Sequence, residues 1–168
     1  MSKLELNHAA PNFSLPMTNG ENFNFSDHME KHDSWHLLIF FRGAWCPVCV
    51  QDLKALEENV GYFKEKKVHI ITVSSDKLDA LKEMTEEHKL SFPVLSDENL
   101  EALKAYDVFY HGPDAPYEDH GTHGEPAYFL IDEKGRLLYQ QRQTSPFGRP
   151  TATELRKIVQ YIKKNIKG

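Results

Sequence analysis

An α/β fold is what this sequence predicts, and three observations carry the prediction. Trp35 to Phe41 is a continuous apolar run, too short to span a membrane, that breaks at Gly43 and leads into an amphipathic helical pattern bearing Leu53, Leu56 and Val60. Val68 to Val73 is a second apolar run, rich in β-branched residues, of the kind a strand covered on both faces requires. Helical spacing then returns twice, so strands and helices alternate in the manner of a sheet covered by helices on both sides.

Each element has its own signal. Residues 11–25 carry Phe13 and Leu15, then Phe23 and Phe25, on either side of Thr18-Asn19-Gly20-Glu21, which predicts a hairpin. Asp27 to Ser34 is polar and reads as a surface turn or short helix. Ser75-Asp76 opens a helix with Leu78, Leu81 and Met84 on one face. A short strand, Phe92 to Leu95, follows, and Ser96-Asp97 start another helix with Leu100, Leu103 and Tyr106. His69, inside the second apolar run, reads as a structural histidine. Glu125-Pro126 precede a strand from Ala127 to Ile131, Asp132 to Gly135 form a turn, and Arg136 to Arg142 return as an edge strand. The last helix opens at Pro150-Thr151 with Glu154 completing a capping box, and buries Leu155, Ile158, Val159, Ile162 and Ile166.

Residues 107–125 break this rhythm. They are rich in Gly, Pro, Asp and His, including Asp107, His111, Asp114, Glu118, Asp119, His120 and His123. They read as a long, mobile, solvated loop that covers the active site. His120-x-x-His123 is a weak metal signal without helical spacing, and no metal is expected.

At 168 residues and 40% apolar content the chain fits one domain, residues 1–168, that buries roughly two-thirds of its unfolded surface. A formal charge of −5 gives no attraction to nucleic acid or membrane. Lys163, Lys164 and Lys167 match the dipole of a helix end. No secretory signal pattern opens the chain, which reads as cytoplasmic.

The chemistry concentrates at Cys46-Pro47-Val48-Cys49, which hold the only two cysteines. A helix start presents unpaired N–H groups and the positive end of the helix dipole, and both favour thiolate over thiol. Pro47 suits the first turn because its missing N–H has no partner there. Cys46 is expected at the cap and half exposed, with Cys49 more covered. Half of a zinc site and two inert cysteines are the competing readings. Zinc needs four ligands and no second CxxC exists, whereas a CxxC between a buried strand and a helix is a redox pattern.

Taken together, Ala10-Pro11-Asn12-Phe13-Ser14-Leu15, Phe40-Phe41-Arg42-Gly43 with the CxxC, Val68 to Asp76, Phe92 to Asp97, and Phe129 to Asp132 with Gly135 resemble the thioredoxin-fold redoxins. The specific likeness is to the peroxiredoxin-like branch of the alkyl hydroperoxide reductase/thiol-specific antioxidant (AhpC/TSA) family. The resemblance implies a thioredoxin-like fold: a central mixed sheet, helices on both faces, and an N-terminal β-hairpin extension that plain thioredoxins lack. It implies a thiol-based oxidoreductase that cycles Cys46 and Cys49 between dithiol and disulfide. The substrate would be a peroxide or a protein disulfide, the electron donor a thioredoxin-like thiol reductant, with no cofactor; redoxins often pair as homodimers.

The resemblance also marks departures. The peroxidatic cysteine of peroxiredoxins falls on Cys49, their threonine on Cys46 and their proline on Arg42, while the arginine before the later strand falls on Pro126. Arg42 or Arg142 could supply the positive charge instead. Pro126 stands where thioredoxin-like oxidoreductases carry a cis-proline that pairs with an extended substrate. Arg42, Trp45 and Pro126 are therefore candidate substrate-positioning residues. Glu125 is a candidate for proton transfer, since the strand from Leu37 to Phe41 lacks a carboxylate. A disulfide reductase without peroxidase activity and a non-enzymatic redox sensor are the alternatives.

Overall fold

The computed structural model describes residues 4–117 and 119–167, so Glu118 of the long loop lies outside it. The chain opens with the expected hairpin, β1 (Ser14–Pro16) against β2 (Asn22–Asn24), with Leu15 opposite Phe23 and Gly20 at φ +90° in the turn. Helix α1 (Phe25–Lys31) is capped by the Asn24 side chain, which accepts from the Asp27 N–H.

Strand β3 (Trp35–Phe40) is buried at all six positions because it is the middle of the sheet. Helix α2 (Pro47–Glu58) and β4 (Val68–Ser74) follow, with a separate short helix α3 (Val60–Glu65) between them. The sequence placed Val60 on the CxxC helix, but Asn59 turns the chain first, its Nδ2 donating to the Ala55 carbonyl at 2.7 Å.

Helix α4 (Leu78–Glu87), β5 (Val94–Ser96) and α5 (Glu101–Ala105) continue the alternation. Asp97 opens α5 as expected, its carboxylate accepting from the N–H groups of Glu101 and Leu103. Asp76 does not cap α4; its Oδ2 instead accepts the Ala44 N–H at 2.9 Å and anchors the loop ahead of the cysteines.

Residues 107–125 are not the solvated loop that composition suggested. They fold back as a two-stranded ribbon, β6 (Tyr110–His111) against β7 (His123–Gly124), and bury His111, His123 and Glu125. At Gly124 a Cβ would meet the Leu103 side chain, so glycine lets the ribbon pack closely against α5.

Strands β8 (Ala127–Ile131) and β9 (Leu137–Arg142) complete a five-stranded sheet of order β5-β4-β3-β8-β9. β3, β4 and β5 run parallel, while β8 and β9 pair antiparallel, so the sheet is mixed and β9 is its edge. Helix α6 (Ala152–Asn165) carries the expected capping box of Thr151 and Glu154. Leu155 and Val159 are buried, but Ile166 lies past the helix end and is exposed, against expectation.

Alternation along β3 splits the core in two. Leu37, Ile39 and Phe41 face α2, α3, α4 and α6 through Leu53, Leu56, Phe63, Leu81 and Leu155. Leu38 and Phe40 face α1, α5 and the hairpin through Phe13, Phe25, Leu103 and Tyr106. Each such fully buried Leu or Phe contributes about 2 kcal/mol.

At the end of β3 away from the cysteines, four histidines pack together. His36 and His69 are register partners on β3 and β4, and His28 Nδ1 lies 3.0 Å from His36 Nε2 with His32 stacked beside it. Burial and then neighbouring imidazoles hold His28 down to about 4 and His36 to about 3. Both are neutral when folded, whereas the unfolded chain takes up protons near pH 6.5. Stability is therefore full above about pH 6.5 and falls as the pH drops toward 4 and then 3. We expect the thermal midpoint, followed by circular dichroism, to fall by several degrees between pH 7 and pH 4.5, at about 3 °C per kcal/mol in a chain of this size. In His36→Gln this acid limb should be shallower.

Candidate active site

The site forms where β3 ends. Phe41 N–H still bonds the Val73 carbonyl, and the Ser74 hydroxyl donates to the Arg42 carbonyl at 3.2 Å, which fixes Arg42 at the carboxyl edge of the sheet. A Cβ on Gly43 would strike the Trp45 indole, so the glycine lets the indole fold back over the loop. Cys46 then caps α2, with Pro47 at its first position.

Cys46 Sγ accepts the Cys49 N–H at 3.3 Å, the bond that a serine or threonine oxygen makes at an ordinary N-cap. The Cys49 thiol donates to the same sulfur. With the Cys49 N–H, Arg149 and Arg42 adding to it against the opposing effect of burial, this lowers Cys46 to about 5. Donating to Cys46, together with burial, raises Cys49 far above the ordinary thiol range, despite Arg149. One sulfur is a thiolate at neutral pH and its neighbour keeps its proton. Both are free thiols.

Two arginines approach the pair. Arg42 Nη1 lies 4.0 Å from Cys46 Sγ. Arg149 Nη1 lies 3.2 Å from Cys49 Sγ and 3.3 Å from Asp52 Oδ2, one turn along α2. Arg149 and Asp52 were not singled out in the sequence; the only signal at Arg149 is its place immediately before the Pro150-Thr151 helix start.

The other sequence candidates are distributed around Arg42. Its Nε lies 3.0 Å from Glu125 Oε1, and its Nη2 contacts Asp119 Oδ2 at 2.5 Å and His123 Nε2 at 3.2 Å. Trp45 lies over the guanidinium, 4.9 Å from Cζ to the ring centroid, and stacks on His120 at 4.0 Å. Trp45 thus covers Arg42 and the histidines. Glu125 is fully buried and its polar contacts are Arg42, His111 and His123, with neither sulfur among them.

Three expectations are corrected. Cys46 is 3% exposed, not half exposed: Arg42 reaches its sulfur and Trp45 packs on the same buried cluster, while Val48 between the cysteines is 52% exposed. Among the described residues no peptide bond is cis, and Pro126 is a trans proline at a strand start. Its carbonyl already accepts the Gln143 N–H at 2.9 Å and is not free to pair with a substrate strand. Arg142 donates to the Tyr106 carbonyl and lies over Phe129, so it supplies no charge to the thiols. The His120-x-x-His123 pair is also divided, with His120 on Trp45 and His123 turned inward.

Residues 6–140 match the AhpC/TSA family. The chain belongs to that family. Among curated relatives it is 30% identical to the thiol-disulfide oxidoreductase ResA of Bacillus thuringiensis subsp. konkukian, over 82% of this chain and 70% of ResA. It is 29% identical to the peroxiredoxin Bcp of Escherichia coli K12, over 82% of this chain and 85% of Bcp. The fold is shared with solved peroxiredoxins: TM-score 0.84 and 22% identity to peroxiredoxin 6 of Arenicola marina, covering 98% of this chain and 76% of that one. For the peroxidoxin BcpB of Mycobacterium tuberculosis the TM-score is 0.79 at 16% identity, covering 99% and 100%. No helix among the described residues is long and apolar enough to cross a membrane.

The thiolate assignment is open to direct measurement. Iodoacetamide alkylation of Cys46 should follow a single ionisation near pH 5, falling tenfold per unit below it. Arg149→Met should move that inflection upward by about one unit.

Proposed function

We propose that this AhpC/TSA protein is a thiol-dependent enzyme that reduces hydroperoxides, with Cys46 as the attacking thiolate and Cys49 as the resolving thiol. The observation that carries the reading is the polarised pair itself: a sulfur at the helix cap held ionised chiefly by the Cys49 thiol that donates to it, and that thiol held protonated. Cys46 attacks the terminal peroxide oxygen, the O–O bond breaks and an alcohol or water leaves, and Cys46 becomes a sulfenic acid. The Cys49 sulfur then displaces the sulfenic oxygen as water and closes the Cys46–Cys49 disulfide. A thioredoxin-like dithiol restores both thiols by exchange, itself becoming oxidised.

Burial favours a small oxidant. At 3% exposure the Cys46 sulfur admits a peroxide far more readily than the backbone flanking a protein disulfide. Arg42 and Arg149 place cations beside the pair to receive the departing oxyanion. The resemblance to peroxiredoxins assigns attack to Cys49, but the proton retained there argues for the reverse order. A reducing compartment such as the cytoplasm suits an enzyme that begins each cycle as a dithiol.

Disulfide exchange is the second reading. The similarity to ResA and the exposed Val48 at the tip of the CxxC turn support it, because a partner polypeptide would dock there.

Stopped-flow oxidation of the reduced protein by hydrogen peroxide and by a protein disulfide separates the two. We expect the peroxide reaction to be the faster. Cys49→Ser should retain that first step, within about tenfold, and accumulate a sulfenic acid trapped by dimedone. Cys46→Ser should lose it by more than about 100-fold, since each unit of thiol pKa above the working pH removes tenfold of thiolate. Loss in Cys49→Ser with retention in Cys46→Ser would reverse the assignment.

A further inference from the structure

Behind Arg42, on the side away from the sulfurs, four metal-ligating side chains converge. His111, Asp119, His123 and Glu125 each offer one ligand atom, and these atoms lie within 4.8 Å of one another. His111, His123 and Glu125 are buried, at 7%, 1% and 0% exposure. We propose that these four residues form a binding site for a divalent transition-metal ion of the zinc type, distinct from the dithiol.

Hydrogen-bond chemistry leaves the cluster incomplete. His123 Nδ1 lies 2.9 Å from the Gly121 carbonyl, which can only accept, so the ring proton sits there and the Nε2 lone pair faces inward. That lone pair accepts from Arg42 Nη2 at 3.2 Å and also meets Glu125 Oε2 at 3.2 Å, an acceptor opposite an acceptor. His111 Nε2 approaches the same oxygen at 2.8 Å yet lacks the alignment of a hydrogen bond and is left without a hydrogen-bond partner. A single guanidinium, that of Arg42, faces two carboxylates, that of Glu125 fully buried and that of Asp119 open to the adjoining cavity.

A metal ion resolves each of these mismatches. Ligands about 2.1 Å from a tetrahedral ion stand about 3.4 Å from one another. The contacts here are 2.8 Å for His111 to Glu125, 3.2 Å for His123 to Glu125 and 3.8 Å for His123 to Asp119. An imidazole whose far nitrogen donates to a backbone carbonyl is the usual outer support of a metal-bound histidine. Two imidazoles and two carboxylates suit zinc, iron(II) or manganese(II) better than the oxygen-loving calcium or magnesium. Arg42 Nη2, which now contacts Asp119 Oδ2 and His123 Nε2, would turn aside to admit the ion, while Arg42 Nε keeps Glu125 Oε1 at 3.0 Å. A cavity of about 440 Å³ lined by His111, Asp119, Tyr117 and Gly121 opens onto the cluster and provides a way in.

The test must exclude the thiols, which also bind such ions. Chelator-treated Cys46→Ser/Cys49→Ser protein is titrated with Co²⁺ and with Zn²⁺ by visible absorption and calorimetry. We expect one ion per chain, visible bands without sulfur charge transfer, and X-ray absorption of the zinc-loaded sample showing two imidazoles among nitrogen and oxygen ligands. His111→Gln and His123→Gln should each weaken binding by at least about 10-fold, while His120→Gln should not. Folded thiol-free protein that binds neither ion, a spectrum with fewer than two imidazoles, or affinity unchanged in both His111→Gln and His123→Gln would overturn the site.

Discussion

The bond from the Cys49 N–H to the Cys46 sulfur organises the active centre. It is a helix cap in which sulfur stands in for oxygen, so the bond that starts α2 adds to the ionisation that the Cys49 thiol, donating to the same sulfur, does most to favour. Helix and thiolate stabilise one another: the orphan N–H groups of the first turn find an anion, and the anion finds donors it could not keep in an apolar setting. Pro47 serves both, because it gives up an N–H that had no partner. The protonated Cys49 one turn inside completes the pair, and its retained proton measures how strongly Cys46 holds its charge.

That small unit needs a rigid frame. β3 supplies it by being the central strand, bonded to β4 on one side and β8 on the other, with apolar residues packed above and below. The loop leaving β3 is tied at three points: Phe41 to Val73, Arg42 to Ser74, and Ala44 to Asp76. None of these ties touches sulfur, yet together they set where the guanidinium of Arg42 and the cap of α2 come to rest. Trp45 closes the arrangement from outside by lying across Arg42 and His120, which is why the sulfur is more sheltered than a bare helix start would leave it.

How much was legible in the sequence follows from the range of each interaction. β3, β4, the hairpin and the capping box of α6 rest on periodicity and nearest neighbours, and all are where the pattern puts them. The CxxC at a helix start was readable for the same reason. Asn59 was harder, since nothing in the apolar spacing of Leu53, Leu56 and Val60 announces a break. The covering of Cys46 and the partnership of Arg149 with Cys49 were not readable, because Arg42 is held over the sulfur by Asp119 and His123, 77 and 81 positions away, and Arg149 lies 100 positions from Cys49. The 107–125 stretch misled most: its composition is that of a solvated loop, and only a pair of two-residue strands, too short to leave a period, turns its histidines inward. Pro126 looked like a substrate-facing proline by position, but whether a carbonyl is free depends on a neighbouring strand that position alone does not reveal.

Arg149 and Cys49 are separated by 100 residues, whereas Arg42 and Cys46 are neighbours. The electrostatic setting of the dithiol is therefore assembled in two stages during synthesis, half as soon as β3 and α2 exist and half only after the carboxyl-terminal segment has swung back across the sheet. A nascent or clipped chain carries both sulfurs yet lacks the second guanidinium. The second of the two positive charges beside the sulfurs therefore exists only in a chain that has folded as far as its carboxyl-terminal segment.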